Sequence, residues 1–179
     1  MKRISMVPVI LGLIVVMAQN VFATAITYDA MNLGGNKWEF TYAITNDTLS
    51  TDINEYDIIF TYGLYENIQV VNSSSDWSVI SYDPALIFGT PDDGIVDSLE
   101  LVSGVTPGST LGGLSVTFDW LGSGAPGLQA FTVLDPNTFE TLDSGNTPPA
   151  TAPVPEPVTL MLLGSGLIGL AGMRKKFRA

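Results

Sequence analysis

Lys37-Trp38-Glu39-Phe40-Thr41-Tyr42-Ala43-Ile44-Thr45 is the stretch that decides the fold. Trp38, Phe40, Tyr42 and Ile44 take alternate positions, with Glu39, Thr41, Ala43 and Thr45 between them. A repeat of two places one set on a buried face and the other in water, as in a half-buried β-strand. Gly34-Gly35-Asn36 lies just before it and reaches positive φ at little cost, so Ile26 to Leu33 is expected to pair back as a hairpin. Downstream, Tyr56 to Tyr62 and Leu114 to Trp120 alternate in the same way. Shorter strands are expected at Asn67–Asn72, Trp77–Tyr82, Ala85–Phe88, Ile95–Val102, Leu128–Leu134 and Thr138–Leu142. Turn residues such as Pro91-Asp92-Asp93-Gly94 and Pro107-Gly108 separate them. No ten-residue stretch of this body has a helical repeat. The reading is all-β, a single antiparallel β-sandwich of jelly-roll or immunoglobulin-like type over residues 26–146.

The charge of the body is lopsided. Seventeen of the eighteen acids lie between Ile26 and Pro153, against Lys37 as the only base there, giving 17 − 1 = 16 net negative charges. That field repels phosphate backbones, so nucleic acid is not an expected partner. The chain has no cysteine and no histidine. Disulfides, His-liganded zinc or haem, and nucleophile systems that rely on imidazole are therefore ruled out. No enzymatic activity is expected.

Residues 1–25 have the composition of a secretory signal peptide, expected as a helix: Lys2 and Arg3, then an apolar run from Val7 to Ala18. Val21-Phe22-Ala23 and Ala23-Thr24-Ala25 both offer small residues at cleavage spacing, so cleavage after Ala23 or after Ala25 stays open. The secretion translocon and signal peptidase are the partners this implies. Residues 147–157 form a linker with five of the eleven prolines, which makes it a stiff, extended spacer. Residues 158–173 carry no formal charge and are expected as a transmembrane helix. At about 1.5 Å per residue they reach about 24 Å, a little short of a hydrocarbon core of roughly 30 Å. Residues 174–179 hold Arg174, Lys175, Lys176 and Arg178, which favour the cytoplasmic side. The expected topology is N-out, C-in, with the inner membrane as a transient anchor.

Val154-Pro155-Glu156-Pro157, the short Gly-rich apolar span and the Arg/Lys terminus occur in this order at the end of the chain. Together they resemble the PEP-CTERM sorting signal. The resemblance implies recognition by an exosortase, a membrane protease/transpeptidase-like enzyme of Gram-negative bacteria, with Pro155, Glu156 and Pro157 as the recognition element. It also implies export to the cell surface or extracellular space, in a structural or interaction role tied to extracellular polysaccharide and biofilm.

Candidate chemistry in the body is sparse. Asp92, Asp93 and Asp97 surround Gly94 and are candidate calcium ligands, since oxygen-rich loops suit that ion. A solvated Asp-Gly turn is the competing reading, and no other cofactor is expected. Asp52, Asn54, Glu55 and Asp57 resemble an EF-hand start only superficially, since Tyr56 takes the fifth place and no glycine the sixth. Asp119 and Glu100 are the carboxylates available for glycoside hydrolysis, with nothing to fix their separation. Trp77 and Tyr65 are candidates for a sugar-stacking platform, as in a carbohydrate-binding module, while their alternating positions also suit a core.

Overall fold

The computed structural model describes residues 24–150, and the signal, tail and sorting residues lie outside the described residues. The described part is all-β. Eleven strands occur in chain order: β1 (Ala25–Gly34), β2 (Lys37–Thr45), β3 (Glu55–Phe60), β4 (Tyr65–Asn72), β5 (Trp77–Tyr82), β6 (Ala85–Ile87), β7 (Thr90–Asp92), β8 (Gly94–Glu100), β9 (Thr110–Trp120), β10 (Ala130–Leu134) and β11 (Thr141–Asn146). They form a four-stranded sheet ordered β1-β2-β9-β4, a five-stranded sheet ordered β11-β10-β3-β8-β5, and the small hairpin β6-β7. Every ladder is antiparallel. The compact unit Phe22–Thr151 contains all the strands and the whole core, as an independently folding domain requires.

Two-residue alternation builds the core. On β2, Phe40, Tyr42 and Ile44 are buried, as read from the sequence, and Trp38 packs against the core while partly buried. Tyr56, Ile58 and Phe60 of β3 meet them from the other sheet. Phe118 of β9 joins the layers, with ring centroids 5.0 Å from Phe40 and 5.7 Å from Phe60. Tyr28 stacks on Phe40 at 4.2 Å. Such offset and edge-on aromatic pairs add about 0.5–1.5 kcal/mol each beyond the area they bury.

Four features depart from the sequence reading. Tyr62 lies past the end of β3 and is partly exposed. Pro91 and Asp92 belong to β7 instead of a turn, because the reversal falls earlier, at Phe88-Gly89. The last strand starts at Thr141, because Asp135 caps a turn by accepting from the amides of Asn137 and Thr138. Thr147 to Ala150, read as spacer, are tied into the domain: Tyr28 N–H donates to Pro148 O at 3.1 Å and Ala150 N–H to Tyr28 O at 2.8 Å.

Candidate functional site

The proposed calcium loop does not converge. Asp92 pairs with Ala85 in the β6-β7 hairpin. Asp93 accepts the Tyr62 amide at 2.7 Å and so fastens the hairpin root to the loop after β3. Asp97 lies four residues further on, in the middle of β8, about 13 Å along an extended strand. Among the described residues no group of three acids is placed to hold a metal ion. Calcium at Asp92, Asp93 and Asp97 is therefore corrected: two of these carboxylates sit at a hairpin root and the third on a sheet face.

The sugar platform is corrected as well. Trp77 is 6% exposed and Tyr65 5% exposed. Trp77 packs on Tyr56 at 5.3 Å, and Tyr65 contacts Phe60, Phe118 and Trp120 at 5.0–5.1 Å. Both open strands next to the core, where the alternating position outweighs any stacking role. Asp119 and Glu100 also fail to meet. Asp119 adjoins Phe118, which packs on Phe60, and Phe60 pairs with Gly94 at the start of β8. Glu100 ends β8, six residues or about 20 Å away. Glycosidase carboxylates stand roughly 5–9.5 Å apart.

Three acids do gather on the outer face of the five-stranded sheet. Asp57 of β3 lies directly across from Asp97 of β8, and Glu55 is two residues along β3. Burial, then the charges of Asp97 and Glu55, push the Asp57 carboxyl up to about 6. Burial also raises Glu55, with Asp97 and Asp135 adding to it, and burial raises Asp97. Glu55 Oε2 and Asp97 Oδ1 are buried without a hydrogen-bond partner. The raised values favour the protonated carboxyls on this face.

A polar knot inside the core was not foreseen. Gln129, 2% exposed, uses its full side-chain capacity. Its Nε2 donates to Tyr65 Oη at 3.0 Å and to Gly127 O at 2.8 Å. Its Oε1 accepts from Tyr42 Oη at 3.3 Å and from Thr147 Oγ1 at 3.0 Å. The Thr147 amide returns to Gln129 O at 2.8 Å. The knot ties the segment after β11 to the loop before β10. A glutamine in the apolar run Leu128–Leu134, just before β10 and next to a Gly/Pro loop, is the only hint the sequence gives of it.

Two surface features lie at opposite ends of the β5/β8 pair. At the Trp77 end is an open cleft of about 320 Å³, bordered by Asp76, Trp77, Val105, Thr106, Ser109 and Leu111 among others. At the Tyr82 end the β6-β7 hairpin projects, and every residue from Ala85 to Asp93 is exposed.

Residues 153–176 match the family model for the PEP-CTERM protein-sorting motif. No curated protein matches the chain. Among solved structures, a cohesin module from a Clostridium perfringens ATCC13124 family 33 glycoside hydrolase aligns over 70% of this chain and 96% of its own, with TM-score 0.42 and 12% identity. The chitin-binding domain of Chi18aC from Streptomyces coelicolor aligns over 61% and 90%, with TM-score 0.38 and 11% identity. A family GH18 chitinase from Chromobacterium violaceum aligns over 70% of this chain and 18% of its own, with TM-score 0.36 and 14% identity. Likeness at this level carries no argument about ligands. The sorting motif indicates an exported protein, sorted by an exosortase and directed to the cell surface through a membrane-anchored intermediate.

Proposed function

We propose that this chain is a cell-surface or matrix protein whose acidic β-sandwich has a structural or interaction role linked to extracellular polysaccharide, and that it catalyses no reaction. The observation that carries this reading is the sorting motif at residues 153–176. The chemistry of the body supports it: no histidine, no cysteine and one base among seventeen acids make a soluble cargo with few catalytic options. In this reading residues 158–173 hold the chain N-out, C-in until processing, and Arg174, Lys175, Lys176 and Arg178 keep its end in the cytoplasm.

The test uses matrix material extracted from the producing cells. The domain should cosediment with that matrix and release no reducing ends from it. Release of reducing ends that disappears with a single Asp→Asn change would make it an enzyme. Saturable binding to isolated glycan chains would make it a carbohydrate-binding module.

A further inference from the structure

Four turns meet at one end of the sandwich. In the four-stranded sheet, Gly34 pairs with Lys37, Lys37 with Asp119, and Trp120 with Tyr65, so β1 and β9 end where β2 and β4 begin. In the five-stranded sheet, Phe60 pairs with Gly94, Tyr82 with Ile95, and Ile59 with Ala130, so β3 and β5 end where β8 and β10 begin. The loops 61–64 and 121–129 cross between the sheets and join these two ends. Main-chain bonds knit the turns together: Trp120 N–H donates to Asn36 O at 2.8 Å and Leu121 N–H to Leu64 O at 2.9 Å. Asp93 accepts the Tyr62 amide at 2.7 Å and adds the β6-β7 hairpin.

The tips of this end are apolar and uncharged. Leu33, Tyr62, Leu64, Phe88, Leu121 and Leu128 are all exposed. Residues 31–36, 61–64, 86–91 and 121–129 include no charged residue. Three of the four connections at the opposite end carry Asp47, Asp52, Asp76, Asp135 and Glu140. Phe88 is the extreme case: it is 103% exposed at a φ of +51°, and Gly89 follows at +84°. Positive φ at both centres of a two-residue hairpin loop selects Asn or Asp before Gly, so the fold alone does not explain a phenylalanine there. The chain also leaves the domain toward this end. Asn146 pairs with Ala130, and Pro149 then bridges Tyr28 in the parallel sense, so the segment after β11 follows β1 in the direction of Gly34. Seven residues, 151–157, separate Ala150 from the uncharged run 158–173. At about 3.1 Å per residue for a Pro-rich spacer, they reach roughly 22 Å.

We propose that this end of the sandwich docks on the lipid bilayer, with Phe88 and the neighbouring loop tips inserted at the headgroup boundary while the tail anchors the chain. The inference rests on the reading that residues 158–173 hold the chain in the membrane. Two observations select lipid as the occupant. The direction of the exit and the short spacer bring this end of the domain to the bilayer, and the acidic end away from it. The tips are uncharged in a body of sixteen net negative charges, and Lys37, its only base, follows directly on Asn36 and suits lipid phosphate. The acids of this end stand behind the tips. Asp92 pairs with Ala85 at the hairpin root, about 10 Å from Phe88 and beyond a Debye length of about 8 Å. Contact through the tips alone is weak, since even a myristoyl chain binds only marginally. The tether supplies the effective concentration that makes it persist, and loss of the tail then releases the domain.

The test uses the chain with its signal removed and its tail intact, reconstituted in phosphatidylcholine vesicles. The sequence has no cysteine, so Ser123→Cys and Ser50→Cys each carry one fluorophore, at the docking end and at the opposite end. The eleven residues of β9 put about 35 Å between those ends, so quenching by nitroxide-labelled acyl chains should be about fivefold stronger at Ser123 than at Ser50. Phe88→Asn suits the turn, so it should leave flotation with the vesicles and the melting temperature unchanged while lowering the Ser123 quenching about twofold. Leu128→Ser should lower it in the same sense. Equal quenching at the two sites in chain that floats overturns the docking and leaves the anchor standing, as does Ser123 quenching that neither variant changes. Chain that fails to float with the vesicles overturns the anchor reading and this inference with it.

Discussion

Asp57 on β3 faces Asp97 on β8 directly across an antiparallel ladder, so two carboxylates share neighbouring places on one sheet face. Like charges opposite each other destabilise a sheet. Burial, with the charges of Asp97 and Glu55 adding to it, makes Asp57 hold its proton up to about 6, against an ordinary value of 3.8. Between those values the folded state binds a proton that the unfolded state has released. This contribution to stability is complete below about 3.8 and is lost as pH rises through 6. Asp135 acts in the opposite sense. Its carboxyl is held below the usual range by the Asn137 and Thr138 amides, so its contribution is lost in acid. The melting temperature should therefore be higher at pH 5 than at pH 7.5. Asp57→Asn should add about 1 kcal/mol at pH 7.5 after allowance for screening at this half-exposed site, and should flatten the pH profile. A melting temperature that climbs steadily from pH 5 to 7.5 in the wild type would contradict this.

The Gln129 knot predicts a large, coupled cost. Gln129→Leu keeps the volume but strips partners from Tyr42 Oη, Tyr65 Oη, Thr147 Oγ1 and Gly127 O. The expected loss is about 2–4 kcal/mol in denaturant unfolding. Thr147→Val should cost less alone and be strongly non-additive with Gln129→Leu. Additive effects would mean that the two residues do not form one network.

The mature amino terminus is a third point. Thr24 is 3% exposed, and its main-chain nitrogen donates to Thr48 Oγ1 at 3.0 Å and to Asp143 Oδ2 at 3.2 Å. Burial opposes ionisation of Asp143, but hydrogen bonds from Thr24, Ser144 and Thr48 outweigh it and hold the carboxyl below its usual value. Cleavage after Ala23 would turn that nitrogen into an ammonium already seated on a carboxylate. Cleavage after Ala25 would delete Thr24 and the residue paired with Thr45. The exported protein should begin at Thr24 by intact mass. Asp143→Asn should lower its stability by about 0.5–1 kcal/mol. A chain beginning at Ile26 would contradict this.

Alternation made the two-layer β architecture legible, because Phe40, Tyr42, Ile44 and Phe118 announce their faces without help from the rest of the chain. Strand order was not legible, since pairing such as β2 with β9 joins residues about seventy positions apart. Trp77 and Tyr65 were ambiguous for a physical reason: an aromatic at the first place of a strand has the same composition whether it points inward or out. Asp57 and Asp97 become neighbours only through the register of β3 and β8, which no local pattern encodes. The hairpin turn was misplaced because Asp93-Gly94 has favoured turn chemistry and Phe88-Gly89 does not.

The central claim is that the acidic sandwich is cargo and that the carboxyl-terminal motif delivers it. The most direct measurement compares fractionated cells expressing the wild-type chain with cells expressing a chain in which Pro155, Glu156 and Pro157 are all alanine. Mass and location are read for each. The account predicts wild-type protein at the surface with its tail removed, and the variant held in the inner membrane with its tail intact. A variant that reaches the surface with the wild-type mass would contradict it.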